Sequence, residues 1–217
     1  MNLVFGESTV LILRLKEWLA LRCLMQAALF GLMCLSWTGV HAGPFGLESG
    51  MTLVQLGRLE GFAQTDRSGW FTARQTPLHH PEFERYDFLI DPALGLCKVV
   101  ATGRTIQSDH AGQALKSRFR NLEAGLQYRY GSPSSSYDVL RFPSVWKDPA
   151  DWMMGLYSGA RSLSTFWTDE KRMSRFHLQA IQLEARAISP SSGWIYLIYE
   201  FQNSDSCLDA SSAVRQL

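Results

Sequence analysis

These 217 residues contain no glycine-rich phosphate loop, no Gly-x-Ser-x-Gly elbow and no His-Glu-x-x-His pair. The nucleotide-cradling, serine-esterase and zinc-protease readings that such motifs carry therefore have no footing here. Histidine is scarce, with five in the chain. The one adjacent pair is His79-His80, with Glu82 and Glu84 nearby. Neighbouring side chains on an extended backbone point to opposite sides, so these imidazoles do not readily share one ion. Neither a metal site nor a cofactor is expected. An excess of one charge is also missing. Twenty-one Lys and Arg stand against 20 Asp and Glu, a net charge of +1. Nucleic-acid binding needs a basic surface to neutralise phosphates, so nucleic acid is not an expected partner.

Long apolar runs are confined to the start. Arg14, Lys16 and Arg22 precede an apolar run from Leu24 to Trp37, and Val40-His41-Ala42 follows. This is the three-part pattern of a signal peptide over residues 1–42, cleaved after Ala42. The run falls short of the ~20 apolar residues a bilayer span needs, so no transmembrane anchor is expected after cleavage. Three basic and two acidic residues lie in this segment, which leaves 18 of each beyond it. The expected location is periplasmic or secreted.

Cysteine is sparse, with four in the chain. Cys23 and Cys34 leave with the signal, and Cys97 and Cys207 remain. An even pair in an exported protein predicts one disulfide. The competing reading is a small thiol-dependent or hydrolytic enzyme using Cys97 with His177 or His80.

What is present is a pattern of two helices, each followed by strands. Thr52 and Gln55 have the spacing of a capping box, with Met51 and Leu56 as its staple. Leu53, Leu56 and Leu59 follow at helical spacing, and Gly61 offers a left-handed exit. Residues 84–104 read as a β-hairpin about Asp91-Pro92-Ala93-Leu94-Gly95, with Pro92 and Gly95 as turn residues. Tyr86, Phe88 and Ile90 share one face of its first strand. Leu115, Phe119, Leu122, Leu126 and Tyr130 recur at steps of four, three, four and four residues, which is a helical stripe. Ser108 or Asp109 can cap that helix, and Gly131 and Pro133 end it. Asp148-Pro149 reads as a further helix start. Segments 137–142, 162–168, 178–188 and 194–201 read as strands, the last three forming an antiparallel meander.

The expected class is α+β, with antiparallel sheet covered by helices. The helices and strands fall into two tandem units, 43–107 and 108–209, or into one continuous sheet. Residues 210–217 read as a frayed tail.

Gly50-Met51-Thr52-Leu53 with Gln55-Leu56, just after an exported start, resembles envelope proteins of the β-lactamase-inhibitory-protein type. It also resembles the small lipoprotein of the bacterial outer-membrane barrel-assembly machinery. The resemblance implies short helices against an antiparallel sheet, in tandem for the inhibitory protein. Tyr130-Gly131-Ser132-Pro133 looks like a second exit of the same kind, although this chain shows one clear helix per unit rather than two. The whole chain beyond the signal is also similar to a family of uncharacterised exported bacterial proteins. That similarity rests on Gly43-Pro44-Phe45-Gly46-Leu47, Gly95-Leu96-Cys97-Lys98 and Asp151-Trp152-Met153-Met154-Gly155-Leu156. It implies a fold and a location but no activity.

The densest aromatic and thioether cluster is Trp146, Trp152, Met153, Met154, Leu156 and Tyr157. It reads as core or as a partner surface, since Trp, Tyr and Met concentrate at interfaces. Trp152 and Met153 cannot both face inward from one short helix without wide burial, so part of this cluster is expected to be exposed. Asp148 and Asp151 suit capping and the helix dipole better than catalysis. The reading is a non-catalytic envelope protein that binds another protein or a ligand. Its contact is a sheet face or the segment holding Trp146, Trp152, Met153, Met154 and Tyr157.

Overall fold

The computed structural model describes residues 43–213, with side chains through Leu208. The signal segment with its cleavage site, and residues 214–217, lie outside the described residues. The class is α+β. Nine antiparallel strands form one sheet in the order β1-β2-β3-β4-β9-β8-β7-β6, with β5 pairing separately to β9. The strands are β1 (Ala63–Gln64), β2 (Trp70–Ala73), β3 (Phe83–Asp91), β4 (Gly95–Gly103), β5 (Ile106–Gln107), β6 (Ser135–Leu140), β7 (Arg161–Trp167), β8 (Leu178–Ser189) and β9 (Ser192–Phe201). The helices are α1 (Leu53–Leu56), α2 (Gln113–Tyr130), α3 (Trp152–Tyr157), α4 (Glu170–Met173) and α5 (Ser204–Ala213).

The sheet is continuous because β4 pairs with β9, from Lys98 opposite Glu200 to Thr102 opposite Tyr196. Each side of that seam is a meander of sequence-adjacent strands, β1 to β4 and β6 to β9. The strands on either side of residue 107 thus share one hydrogen-bonded surface.

Alternation sorts the side chains. Tyr86, Phe88, Val99, Ala101, Leu197, Tyr199, Ile181 and Leu183 are buried on one face. Helices cover that face. Leu115, Phe119, Leu126 and Tyr130 of α2 are buried against it, with Leu122 half-buried beside them. Gly112 begins α2 in a left-handed conformation, and the cap comes from upstream. Asp109 Oδ1 accepts the Gln113 N–H at 2.7 Å and Ser108 Oγ accepts the Ala114 N–H at 3.1 Å. At the other end the Tyr130 and Tyr199 rings lie 6.1 Å apart, and burial pushes both phenols above their usual range.

Helix α1 carries the capping box, Thr52 N–H donating to Gln55 Oε1 at 2.8 Å while Thr52 Oγ1 accepts from Gln55 N–H. It is shorter than the sequence pattern suggests. It ends at Gly57, Leu53 is exposed, and Leu56 alone of the stripe is fully buried. Gly61 is left-handed, but in the turn beyond the helix.

Leu89, on the face of β3 opposite Tyr86 and Phe88, is buried with Trp70, Cys97 and Cys207, because α5 packs on β3 and β4 there. Helix α5 itself runs through Ala213, into the segment read as tail. Its Ser and Asp content masks it, since those side chains compete for backbone hydrogen bonds.

Candidate functional site

The second face of the sheet is where candidate chemistry collects. Helix α5 covers one end, and Cys97 and Cys207 are joined there as a disulfide with Cα atoms 6.5 Å apart. Beyond α5, strands β2, β4 and β9 present Trp70, Val100, Ile198 and Tyr196, all half-buried. Together with Thr72, Arg85, Asp87, Glu184 and Arg186 they line an open groove of about 570 Å³.

Three ion pairs lie on this face. Arg85 Nε meets Asp87 Oδ2 at 3.2 Å, Arg186 Nε meets Glu184 Oε1 at 2.8 Å, and Lys98 pairs with Glu200 across the β4–β9 seam. Within the groove Arg85 and Arg186 each have a carboxylate and Arg67 has none among the described residues, so three cations against Asp87 and Glu184 leave an excess of one positive charge. Arg67 stacks over Trp70 at 4.7 Å, and Trp194 meets Tyr196 edge to face at 6.0 Å. Alternation puts these residues opposite the core residues, which follows from the period of two along each strand. The sequence shows that alternation strand by strand. It does not show which strands are neighbours, so the groove across β3, β4 and β9 was not legible there.

The residues picked from the sequence fall into three groups. Trp152 and Met153 are both core, 3% and 0% exposed. The short helix α3 turns both inward because it packs against β7 and β8 while the N-terminal end of α2 closes over it. Met153 N–H donates to His110 O at 2.9 Å, and Gly112 approaches the Trp152 ring so closely that a Cβ would sit 2.3 Å from it. Trp152 Nε1 donates to Asp138 at 3.3 Å, and Lys116 Nζ lies 4.3 Å over its ring. Trp146 and Met154 are half-buried, and Tyr157 is exposed. Tyr157 ends α3, three residues before Ala160, whose carbonyl accepts from Arg141 N–H just past β6. Tyr137, Val139, Phe142 and Val145 are exposed on β6 and the loop after it.

Asp148 caps a short 3-10 turn through Ala150 N–H at 2.8 Å, as its spacing predicted. His79 and His80 lie in the loop before β3. His80 packs 5.5 Å from Phe83, and its Nδ1 accepts the Glu82 N–H at 3.3 Å. His177 is exposed at a left-handed position before β8. No hydrogen bond joins Cys97 to a histidine among the described residues. Among them, too, no three His, Cys, Asp or Glu side chains gather as a metal-binding group. No described helix is long and apolar enough to cross a membrane.

Comparison with protein-family models, curated proteins and solved structures finds no match to this chain.

Proposed function

We propose that this chain is a non-catalytic, exported protein of the cell envelope that binds another protein or a ligand through the groove on the open sheet face. The supporting observation is the makeup of that groove. Half-buried Trp70, Tyr196, Val100 and Ile198 sit among Arg85 and Arg186, each paired with a carboxylate, and Arg67, which stacks on Trp70. Aromatic residues and Arg are the side chains that concentrate binding energy in interfaces. A part-apolar face with a single excess positive charge suits a partner surface of low net charge. Export rests on the signal pattern in residues 1–42, and a disulfide fits an oxidising compartment.

Photo-crosslinking inside intact cells tests the reading. A crosslinking residue at Thr72 should give one discrete adduct, and the Tyr196→Ala variant should lose it. A crosslinker at exposed Gln127 on α2 is the control. Adducts that are absent at Thr72, or equal at both positions, would sink the proposal. Fractionation should place the protein outside the cytoplasm.

A further inference from the structure

The sheet has two edges of different build. One is β1, only two residues long. The other is β6, six residues with no Pro and one charge, Asp138, which is paired with Arg161 of the neighbouring strand. Among the described residues β6 pairs only with β7. Native sheets blunt their edges with short strands, charges or proline, so β1 is protected and β6 is a template for pairing. Arg141 N–H donates to Ala160 O, in register with Leu140 opposite Arg161. Alternation then turns the N–H and C=O groups of Leu140, Asp138 and Ser136 away from β7.

Helix α2 runs beside this edge. Lys116, Phe119, Arg120 and Glu123, spaced by three, one and three residues, form one wall of a cleft of about 230 Å³, and Ser136 and Asp138 form the other. The acids of the cleft are engaged. Glu123 accepts from Ser136 Oγ at 3.2 Å and Thr165 Oγ1 at 2.6 Å. Asp138 accepts from Arg161 at 2.8 Å and from Trp152 Nε1. Lys116 rests on the Trp152 ring near Asp138, and Arg120 makes no hydrogen bond or ion pair among the described residues. With Arg161 counted beside them, Lys116 and Arg120 make three cations against the two carboxylates Glu123 and Asp138, so the cleft has an excess of one positive charge beside an unpaired backbone edge. On the opposite side of β6, Tyr137 and Val139 are 47% and 45% exposed.

We infer that the cleft between β6 and α2 takes an extended segment of another protein, which adds to β6 as a further strand and points an acidic side chain at Lys116 and Arg120. Its alternate, apolar side chains lie beside Tyr137 and Val139. Main-chain bonds supply affinity and the alternate side chains supply choice, as in other strand-addition sites. This site is separate from the groove on the open face and does not depend on it.

The probe is a capped, fluorescent heptapeptide, Thr-Val-Glu-Val-Glu-Val-Thr, set against its Lys-for-Glu analogue. Anisotropy should show the acidic peptide binding at least about tenfold tighter, the value of roughly one charge-assisted contact. Arg120→Glu should cancel or reverse that preference. Leu140→Pro removes an outward N–H while sparing the bonds to β7, and it should abolish binding of both peptides. Hydrogen exchange at Asp138 and Leu140 should slow on binding. Near-UV circular dichroism checks each variant, and if Leu140→Pro unfolds, the Arg120→Glu and exchange results decide. Absence of binding, binding that leaves those two amides unprotected, or a preference unmoved by Arg120→Glu would overturn the inference. So would a concentration-dependent dimer lost in Leu140→Pro, which would assign the edge to a second copy.

Discussion

Gly95 is held by two constraints at once. Its φ of +71° lies in the left-handed region, and a Cβ built there would sit 2.2 Å from Gly50 O. Left-handed backbone alone costs a residue with a Cβ roughly 1–2 kcal/mol. The Gly50 backbone would also have to move, although its N–H donates to Leu96 O at 2.9 Å. Gly95→Ala should therefore lower the unfolding free energy by more than about 2 kcal/mol in a urea titration. Gly125 in α2 has nothing within 4 Å of its Cβ position. Gly125→Ala should raise stability by up to about 1 kcal/mol through helix propensity. His80 gives a second expectation. Burial beside Phe83 disfavours its imidazolium, outweighing the attraction of Glu82, and His79 adds repulsion, so its pKa lies below 6.5. The unfolded chain then binds that proton more readily than the folded one. The contribution to stability is present above pH 6.5 and is lost as pH falls through the lower folded value. A proton NMR titration should place the midpoint under 6.5, and the loss of melting temperature from pH 7 to 5 should shrink in His80→Gln.

At the scale of elements, α2 is the longest described helix, and it buries its apolar stripe on the sheet. Phe119 is 2% exposed beneath it. Phe119→Ala should cost about 3–5 kcal/mol, the usual loss for a buried aromatic side chain. Arg118→Ala breaks an exposed pair with Glu82 and should cost well under about 1 kcal/mol. Equal losses in thermal unfolding would mean that α2 is not anchored as described. This helix was legible from its stripe because five apolar residues repeat over more than four turns. The hairpin at Pro92 was legible for a similar reason: Asp91 Oδ1 accepts from Ala93 and Leu94 N–H, and Gly95 takes the left-handed turn. The two-residue strands β1 and β5 were not legible, since alternation needs more residues to show. Helix α4 was missed as well, though Asp169 Oδ1 capping Arg172 N–H left a signal in Asp169-Glu170. The Trp146–Tyr157 cluster read as core or as partner surface; the α2 end that closes over Trp152 makes Trp152 and Met153 core, and that is a tertiary contact no local pattern shows.

Across the whole molecule, Cys97 and Cys207 join positions 110 residues apart. Closing so long a loop restricts the unfolded chain by an amount worth roughly 4–5 kcal/mol. Reduction, or the Cys97→Ser/Cys207→Ser pair, should lower the urea midpoint by a corresponding amount while leaving the β4–β9 amides slow to exchange. Loss of that protection would mean that the bond organises the sheet rather than securing it. Neither the sheet order nor the two surfaces built on it follows from local pattern, because both depend on which distant strands meet.

The seam between β4 and β9 has a consequence for the order of assembly. Every other long ladder links strands that are neighbours in the chain or nearly so, and such contacts close early. The seam must wait until nearly one hundred residues have been brought round, and Cys97 stands on one of its two strands while Cys207 follows the other. Before α5 docks on β3 and β4, both sulfurs are open to an alkylating reagent; afterwards they are buried and joined. Because α5 follows β9 directly, the moment at which labelling stops marks the docking of the chain beyond β9 onto the first meander, with no probe needing to be added to the chain.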